Sequence, residues 1–226
     1  MQKTILLIMI FIVATIIYSQ NPCPGVTTVT YSGKTYNTVQ IGSQCWLKEN
    51  LDIGTMIQVS QEQTNNGIIE KYCYYDSTIN CDRYGGLYQW AEAVQYKNGA
   101  TNSTSTSPAL IGNVQGICPS GWHIPSYGEF LTLQTTVDTN GNELKTINQG
   151  AGSGVGTNTS GFSALLAGGR HNYFYFYQLG LNTNFWNSTA YDTINSYYIR
   201  LYYNNSNIYL NSTNKEFGFS VRCLKD

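Results

Sequence analysis

The sequence predicts an α+β domain braced by disulfides. Two short segments with helical signals come first, strand-like segments alone occupy the chain from about residue 162 onward, and six cysteines are distributed between Cys23 and Cys223. Helices segregated from a run of short strands argue for α+β rather than for an alternating parallel α/β sheet.

At the N-terminal end, Val26–Tyr31 and Thr35–Ile41 flank Ser32-Gly33-Lys34, a hairpin pattern in which Gly33 supplies positive φ in the turn. Residues 52–72 are less regular, and Gln61–Gly67 reads as a loop. Leu87, Trp90, Ala91 and Val94 recur at helical spacing, which predicts a helix from about Gly86 to Gln95. Residues 98–108 hold Gly, Asn, Ser and Thr without periodicity and read as a surface loop. Ser126 followed by Glu129 has capping-box spacing, so a second helix is expected to begin there and run to about Val137. The glycines between Asn148 and Gly161 predict a loop; no strand leads into it and it lacks a phosphate-binding Lys. Strands are expected at 162–167, 172–178, 184–190, 196–203, 207–211 and 217–224.

Composition narrows the partners. Charged residues make 11% of the chain, well under the ~25% of an average domain, and the net charge is −1. A chain with no basic excess has nothing to neutralise a phosphate backbone, so nucleic acid is not an expected partner. At the start, Lys3 precedes an apolar run from Ile5 to Ile17, broken only by Thr15, and Ser19 follows. That is a secretory signal pattern, too short to span a bilayer, which needs about 20 apolar residues. The expected organisation is a signal peptide over 1–19, then one domain over 20–226 with the hairpin region integral to it. The mature chain is expected to be exported, not inserted in the membrane, and periplasmic or on the outer surface of a bacterium.

Export makes disulfides the natural reading of an even cysteine count, and no C-x-x-C pair with histidine partners suggests zinc. Sequence leaves many pairings open. Spacing favours Cys73–Cys81 around a turn, which leaves Cys118–Cys223 to tie the middle of the chain to its end and Cys23–Cys45 to clip the N-terminal strands.

Several blocks in order resemble the Fibrobacter succinogenes major paralogous domain: Thr38–Leu51 (TVQIGSQCWLKENL), Tyr84–Trp90 (YGGLYQW), Cys118–Ser126 (CPSGWHIPS), Gly161–Leu165 (GFSAL), Phe185–Thr189 (FWNST) and Ser220–Asp226 (SVRCLKD). The resemblance implies a C-type-lectin-like fold, related to formylglycine-generating enzymes, with two short helices beside small antiparallel sheets. It names a scaffold rather than a reaction. The calcium tripeptides of sugar-binding lectins are missing, since Trp186-Asn187 is followed by Ser188, and after residue 161 only Asp192, Glu216 and Asp226 are acidic. Calcium needs six to eight oxygens, several from carboxylates, so no metal is expected. The copper-binding cysteine pair of the oxidases is also missing, because Cys223 is the only C-terminal cysteine.

No catalytic residue is assigned, and no cofactor is expected. His123 reads as a hydrogen-bonded structural histidine, His171 as exposed, and Glu129 as a cap. Trp46, Trp90 and Trp122 are expected in the core, and Arg222 is expected to pair with Glu49 or Asp82. The run Tyr173-Phe174-Tyr175-Phe176-Tyr177 is the strongest candidate for function. In a strand its two Phe face one way and its three Tyr the other. An ordinary half-buried strand would look the same. Read functionally, Tyr173, Tyr175 and Tyr177, with Trp186, Tyr191, Tyr198 and Tyr202, form an aromatic face amid Asn, Ser and Thr, suited to a polysaccharide or a cell-surface protein. The expected function is a secreted, non-enzymatic binding or adhesion module. The alternatives are a structural surface component or, less in keeping with the sequence, an enzyme on the same scaffold. Ligand and oligomeric state are not legible.

Overall fold

The computed structural model describes residues 23–226, so the signal-peptide segment lies outside the described residues. Strands β1 (Thr28–Tyr31) and β2 (Lys34–Ile41) form the expected hairpin, and β3 (Gln44–Leu47) pairs antiparallel with β2. Ser32 and Gly33 both take positive φ, at 50° and 78°, the backbone geometry of a tight two-residue hairpin turn. Two short strands, β4 (Thr55–Met56) and β5 (Glu70–Lys71), pair in parallel and bracket the Gln61–Gly67 loop. Then come helices α1 (Thr78–Tyr84) and α2 (Trp90–Ala93), strand β6 (Trp122–His123) and helix α3 (Tyr127–Thr136). The C-terminal half holds β7 (Gly169–His171), β8 (Tyr175–Tyr177), β9 (Asn182–Ala190), β10 (Asn195–Tyr202), β11 (Ile208–Asn214) and β12 (Leu224–Lys225).

These strands make a five-stranded sheet in the order β1-β2-β3-β12-β6, a three-stranded sheet β11-β10-β9, and the two-stranded pair β7-β8. Apart from β4-β5, every strand ladder is antiparallel. The fold is mixed, with few helices and several small sheets. Disulfides join Cys23–Cys45, Cys73–Cys81 and Cys118–Cys223, and no described cysteine is free.

Helix α3 starts as its sequence requires. The Ser126 hydroxyl accepts from the Glu129 N–H at 3.3 Å, and the Glu129 carboxylate accepts from the Ser126 N–H at 2.7 Å. Phe130 and Leu133 face inward against Trp46. The other predicted helix is shorter than expected, and α1 forms where a turn between Cys73 and Cys81 was expected.

Two predicted strands do not form as ladders. In 162–167, Gly161 and Ser163 hold φ of 79° and 58°, which turns the chain out of extended geometry. Residues 217–224 run extended but change neighbour at each step: Gly218 bridges Arg170, Phe219 bridges Tyr88, Ser220 bridges Phe185, and Leu224 pairs with Trp46 and His123. This segment stitches the two sheets together.

Trp46, Trp90 and Trp122 are buried, as expected. Arg222 does not pair with Glu49 or Asp82. Its Nε and Nη2 donate to Asn50 Oδ1 at 3.1 and 2.6 Å, its Nη1 donates to the Phe162 carbonyl, and its guanidinium lies over the Phe162 ring at 4.3 Å. Glu49 instead accepts from Asn37, and Asp82 pairs with Lys34. The Asn50 amide oxygen reaches the buried guanidinium where a carboxylate would have to be desolvated.

Candidate functional site

The aromatic run folds as a hairpin, not as one strand. Phe174 adopts φ 64° and donates its N–H to the His171 carbonyl at 3.0 Å, which turns the chain between β7 and β8. The base of the hairpin is tight. At Gly168, with φ 65°, a Cβ would lie 2.5 Å from the Tyr177 carbonyl oxygen. Phe176 packs inward on Tyr74, with ring centroids 5.0 Å apart. Phe174 sits at the turn, 46% exposed, and covers the buried Arg170 guanidinium, which has the Tyr72 ring within 4.6 Å as well.

Tyr173 and Tyr175 project into solvent, 75% and 48% exposed. His171 stacks between them, its ring 5.0 Å from Tyr173 and 4.6 Å from Tyr175. Its Nδ1 accepts the Tyr173 N–H at 3.2 Å, so the imidazole is neutral at that nitrogen. Burial and the neighbouring Arg170 charge both hold the His171 pKa below its ordinary value, which keeps the ring neutral. Tyr177 is half-buried beside Tyr175 and Phe217, and burial pushes its phenol well above the usual range.

Tyr177 packs against the core cluster that holds Trp186 and Tyr198, on the face of the β9-β10-β11 sheet opposite Ile199 and Leu201. Along β10 the period-2 alternation sends Ile199 and Leu201 into the core beneath and Tyr198, Arg200 and Tyr202 to the opposite face. Arg200 lies between the Tyr198 and Tyr202 rings, at 4.9 and 5.5 Å. Its Nε donates to Asn184 Oδ1 at 2.6 Å and its Nη1 to the Tyr202 hydroxyl at 3.0 Å. Tyr209 meets Tyr202 edge-on at 5.3 Å. Next to Tyr202 an open groove of about 320 Å³ is lined by Gln178, Leu181, Tyr202, Tyr203, Asn204 and Asn205.

The floor of that groove is fixed by Lys145. This side chain is fully buried, and its ammonium donates to the carbonyls of Tyr202 at 2.8 Å and Asn205 at 2.9 Å, and to that of Gly154. Burial draws its pKa down to about 8, so it remains a cation at neutral pH. Lys215 does the same at the far end of the sheet, donating to the Asp192 and Thr193 carbonyls at 3.0 and 2.8 Å and lying over Trp90. Among the described residues, no group of three His, Cys, Asp or Glu side chains converges as metal ligands.

The seven predicted aromatic contacts divide three ways. Tyr173, Tyr175 and Tyr177 gather around His171 on the hairpin, and Tyr202 lines the groove with Gln178; these four make the candidate surface. Trp186 and Tyr198 do not belong to it as ligand contacts: Trp186 is 0% exposed, donates its indole N–H to the Tyr88 carbonyl at 2.8 Å and packs on Phe219 at 4.5 Å, and Tyr198 is buried against the same Phe219. The reason is that β9 is covered on both faces from Asn182 to Ser188, so its polar flanks do not signal exposure. Tyr191 is 57% exposed but stands at the opposite end of β9, edge-on to Tyr197, which in turn packs on Tyr127. Arg200 and the groove residues Gln178, Leu181, Asn204 and Asn205 were not singled out from sequence, although the Tyr198-x-Arg200-x-Tyr202 alternation carries the signal for Arg200.

His123 lies outside this surface. Its Nδ1 is 2.7 Å from Asp226 Oδ1 and its Nε2 is 2.9 Å from Glu129 Oε1, so both ring nitrogens are engaged. Glu129 therefore caps α3 with one oxygen and holds the imidazole with the other.

The model of the Fibrobacter succinogenes major domain matches residues 39–225, nearly the whole of the described fold. The chain belongs to the Fibrobacter succinogenes major domain family. No curated protein and no solved structure matches it. In this family member the match takes in the β9-β10-β11 sheet, α3, the groove and the aromatic hairpin, so the candidate surface is part of the domain and not an appendage to it.

Proposed function

We propose that this chain is a secreted, non-enzymatic binding module on a C-type-lectin-like scaffold, and that its ligand is a polysaccharide. The observation that carries the reading is the solvent-facing row Tyr173–His171–Tyr175, two exposed phenols held by a neutral imidazole stacked between them. Such rings offer wide, rigid, amphipathic contact at little entropic cost, and the turn has already immobilised them. Sugar rings present apolar C–H faces that stack on them, while Gln178, Asn204 and Asn205 along the adjoining groove supply hydrogen bonds to hydroxyls. The three disulfides, and the lack of any helix long and apolar enough to cross a membrane among the described residues, agree with an extracellular, surface-associated protein.

The test is retention of the oxidised protein on a panel of soluble and insoluble polysaccharides, with calcium and with chelator, beside a folded Tyr173→Ala/Tyr175→Ala variant. Binding that persists in chelator and is lost in the variant is the expected result. Retention that chelator abolishes would point to a metal-dependent lectin. No retention on any glycan would move the assignment to a protein partner or a structural role.

A further inference from the structure

Arg200 differs from the paired and the carbonyl-bound cations of this molecule in what surrounds it. Lys34 and Lys71 share the Asp52 carboxylate, and Lys34 also meets Asp82 at 3.0 Å, so the charges lining the separate 420 Å³ cleft beside them are largely matched. Arg170 meets Glu62 at 3.1 Å. Lys145 and Lys215 spend their ammonium groups on backbone carbonyls. Among the described residues Arg200 has no carboxylate within ion-pair distance, and its two hydrogen bonds use Nε and Nη1, leaving Nη2 without a partner there. It is only partly exposed, rigidly aimed by Asn184 and Tyr202, and flanked by aromatic rings that weaken its hydration.

A guanidinium held in this way is a fork prepared for an anion, because its planar N–H groups match a carboxylate or sulfate and little conformational freedom is left to lose. Partial burial strengthens that attraction compared with a fully hydrated surface charge. From residue 161 to Asn214, which includes the whole aromatic surface, Asp192 is the only acidic residue. Its carboxylate is occupied by Asn195 and the Ile194 N–H at the far end of the sheet.

Resting on the polysaccharide reading above, we infer that the glycan is acidic, and that Arg200 binds its uronate carboxylate or sulfate while Tyr173, Tyr175 and Tyr202 stack on the sugar rings. Arg200 is the residue that separates charged from neutral polymers; the tyrosines supply affinity common to both.

The experiment compares retention on polygalacturonate and dextran sulfate with retention on methyl-esterified pectin and dextran, which keep the sugar backbones and remove the charges. Wild-type protein should bind the acidic polymers at least about tenfold more tightly, as expected for a charge-assisted hydrogen-bonded contact. Arg200→Gln should erase that preference, bringing retention on the acidic polymers down to the level of their neutral counterparts measured with the same variant. Arg200→Lys, which keeps the charge but not the fork, should recover only part of it. Thermal unfolding checks that each variant is folded. Equal retention on charged and neutral polymers, unaffected by Arg200→Gln, would overturn the inference and leave the polysaccharide reading standing. Wild-type protein that binds none of the four would overturn both.

Discussion

The Tyr175 ring lies nearly parallel to the His171 imidazole, with centroids 4.6 Å apart and planes 10° from each other. Those two residues face each other across the β7-β8 ladder, so the stack is a cross-strand pair that stiffens a hairpin otherwise only three residues long on each side. Tyr175 is thus both a wall of the candidate surface and part of what orders it.

Substitution of the hairpin aromatic should separate binding from stability. Tyr175→Ala is expected to cost about 1 kcal/mol or less of folding stability, the range of a cross-strand pair and an aromatic stack at a partly exposed site. Glycan retention should nevertheless fall by about tenfold or more. Trp186→Ala should do the opposite in kind, because it empties a fully buried site and removes the indole donor to the Tyr88 carbonyl: a loss of about 3–5 kcal/mol is expected. Urea unfolding and polymer retention on both variants decide the matter; a Trp186→Ala protein of wild-type stability would contradict the burial described here.

The His123 cluster should make stability depend on pH with a defined sign. Burial lowers the His123 pKa, but the hydrogen bonds and charges of Glu129 and Asp226 more than offset it and hold it above 6.5. Burial raises the Glu129 pKa, and its bonds to His123 and Ser126 more than offset that and hold it below 4.5. A raised histidine pKa contributes stability that is complete below the unfolded value and is lost as pH rises through the folded one. A lowered glutamate pKa contributes stability present above its unfolded value and lost as pH falls through the folded one. The cluster therefore stabilises most between about pH 4.5 and 6.5. The destabilisation caused by His123→Gln, followed by urea titration from pH 4 to 9, should peak in that window and shrink on the alkaline side. A penalty independent of pH would sink this account.

Lys145→Met should loosen the groove without touching its lining side chains. The apolar replacement fills comparable volume but leaves the Gly154, Tyr202 and Asn205 carbonyls without the ammonium donor. Leaving buried acceptors unsatisfied costs about 1–3 kcal/mol each, partly recovered where water enters. A Tm several degrees lower is expected, with faster amide exchange in residues 150–156 and 203–206. Exchange that stays at wild-type rates in both segments would show that the lysine does not hold them together.

The disulfides should rank by the length of chain they close. Cys118–Cys223 spans 105 residues and Cys73–Cys81 spans 8. The chain-entropy relation gives about 4.7 kcal/mol for the first and about 2.6 kcal/mol for the second. Paired Cys→Ala variants should follow that order in urea, and the reverse order would mean that native-state packing outweighs loop closure here.

Much of the fold was legible from short-range chemistry. Ser126 and Glu129 announce the start of α3 because capping depends only on residues three apart, and Ser32-Gly33 announces the first hairpin because the turn needs positive φ at adjacent positions. The aromatic hairpin was visible as a run of rings, but its turn was not: nothing in a Tyr-Phe alternation signals that Phe174 takes a left-handed conformation or that its ring covers the buried Arg170.

What the amino-acid sequence determined by itself is the α+β class, the even set of cysteines, the near-neutral polar composition and the wealth of tyrosine, since each follows from residue type or from neighbours a few positions apart. Tertiary structure alone decided which aromatics face water. Trp186 and Tyr175 look alike in sequence, each an aromatic in a strand-like segment, but β9 is covered on both faces while the β7-β8 hairpin stands at the surface. The same holds for the cations. Whether a lysine or arginine meets a carboxylate, a ring of carbonyls or no partner is settled by chain segments that can be 100 residues apart in sequence, as with Arg170 and Glu62 at a separation of 108. Burial and charge pairing are properties of the assembled core, so no local pattern encodes them.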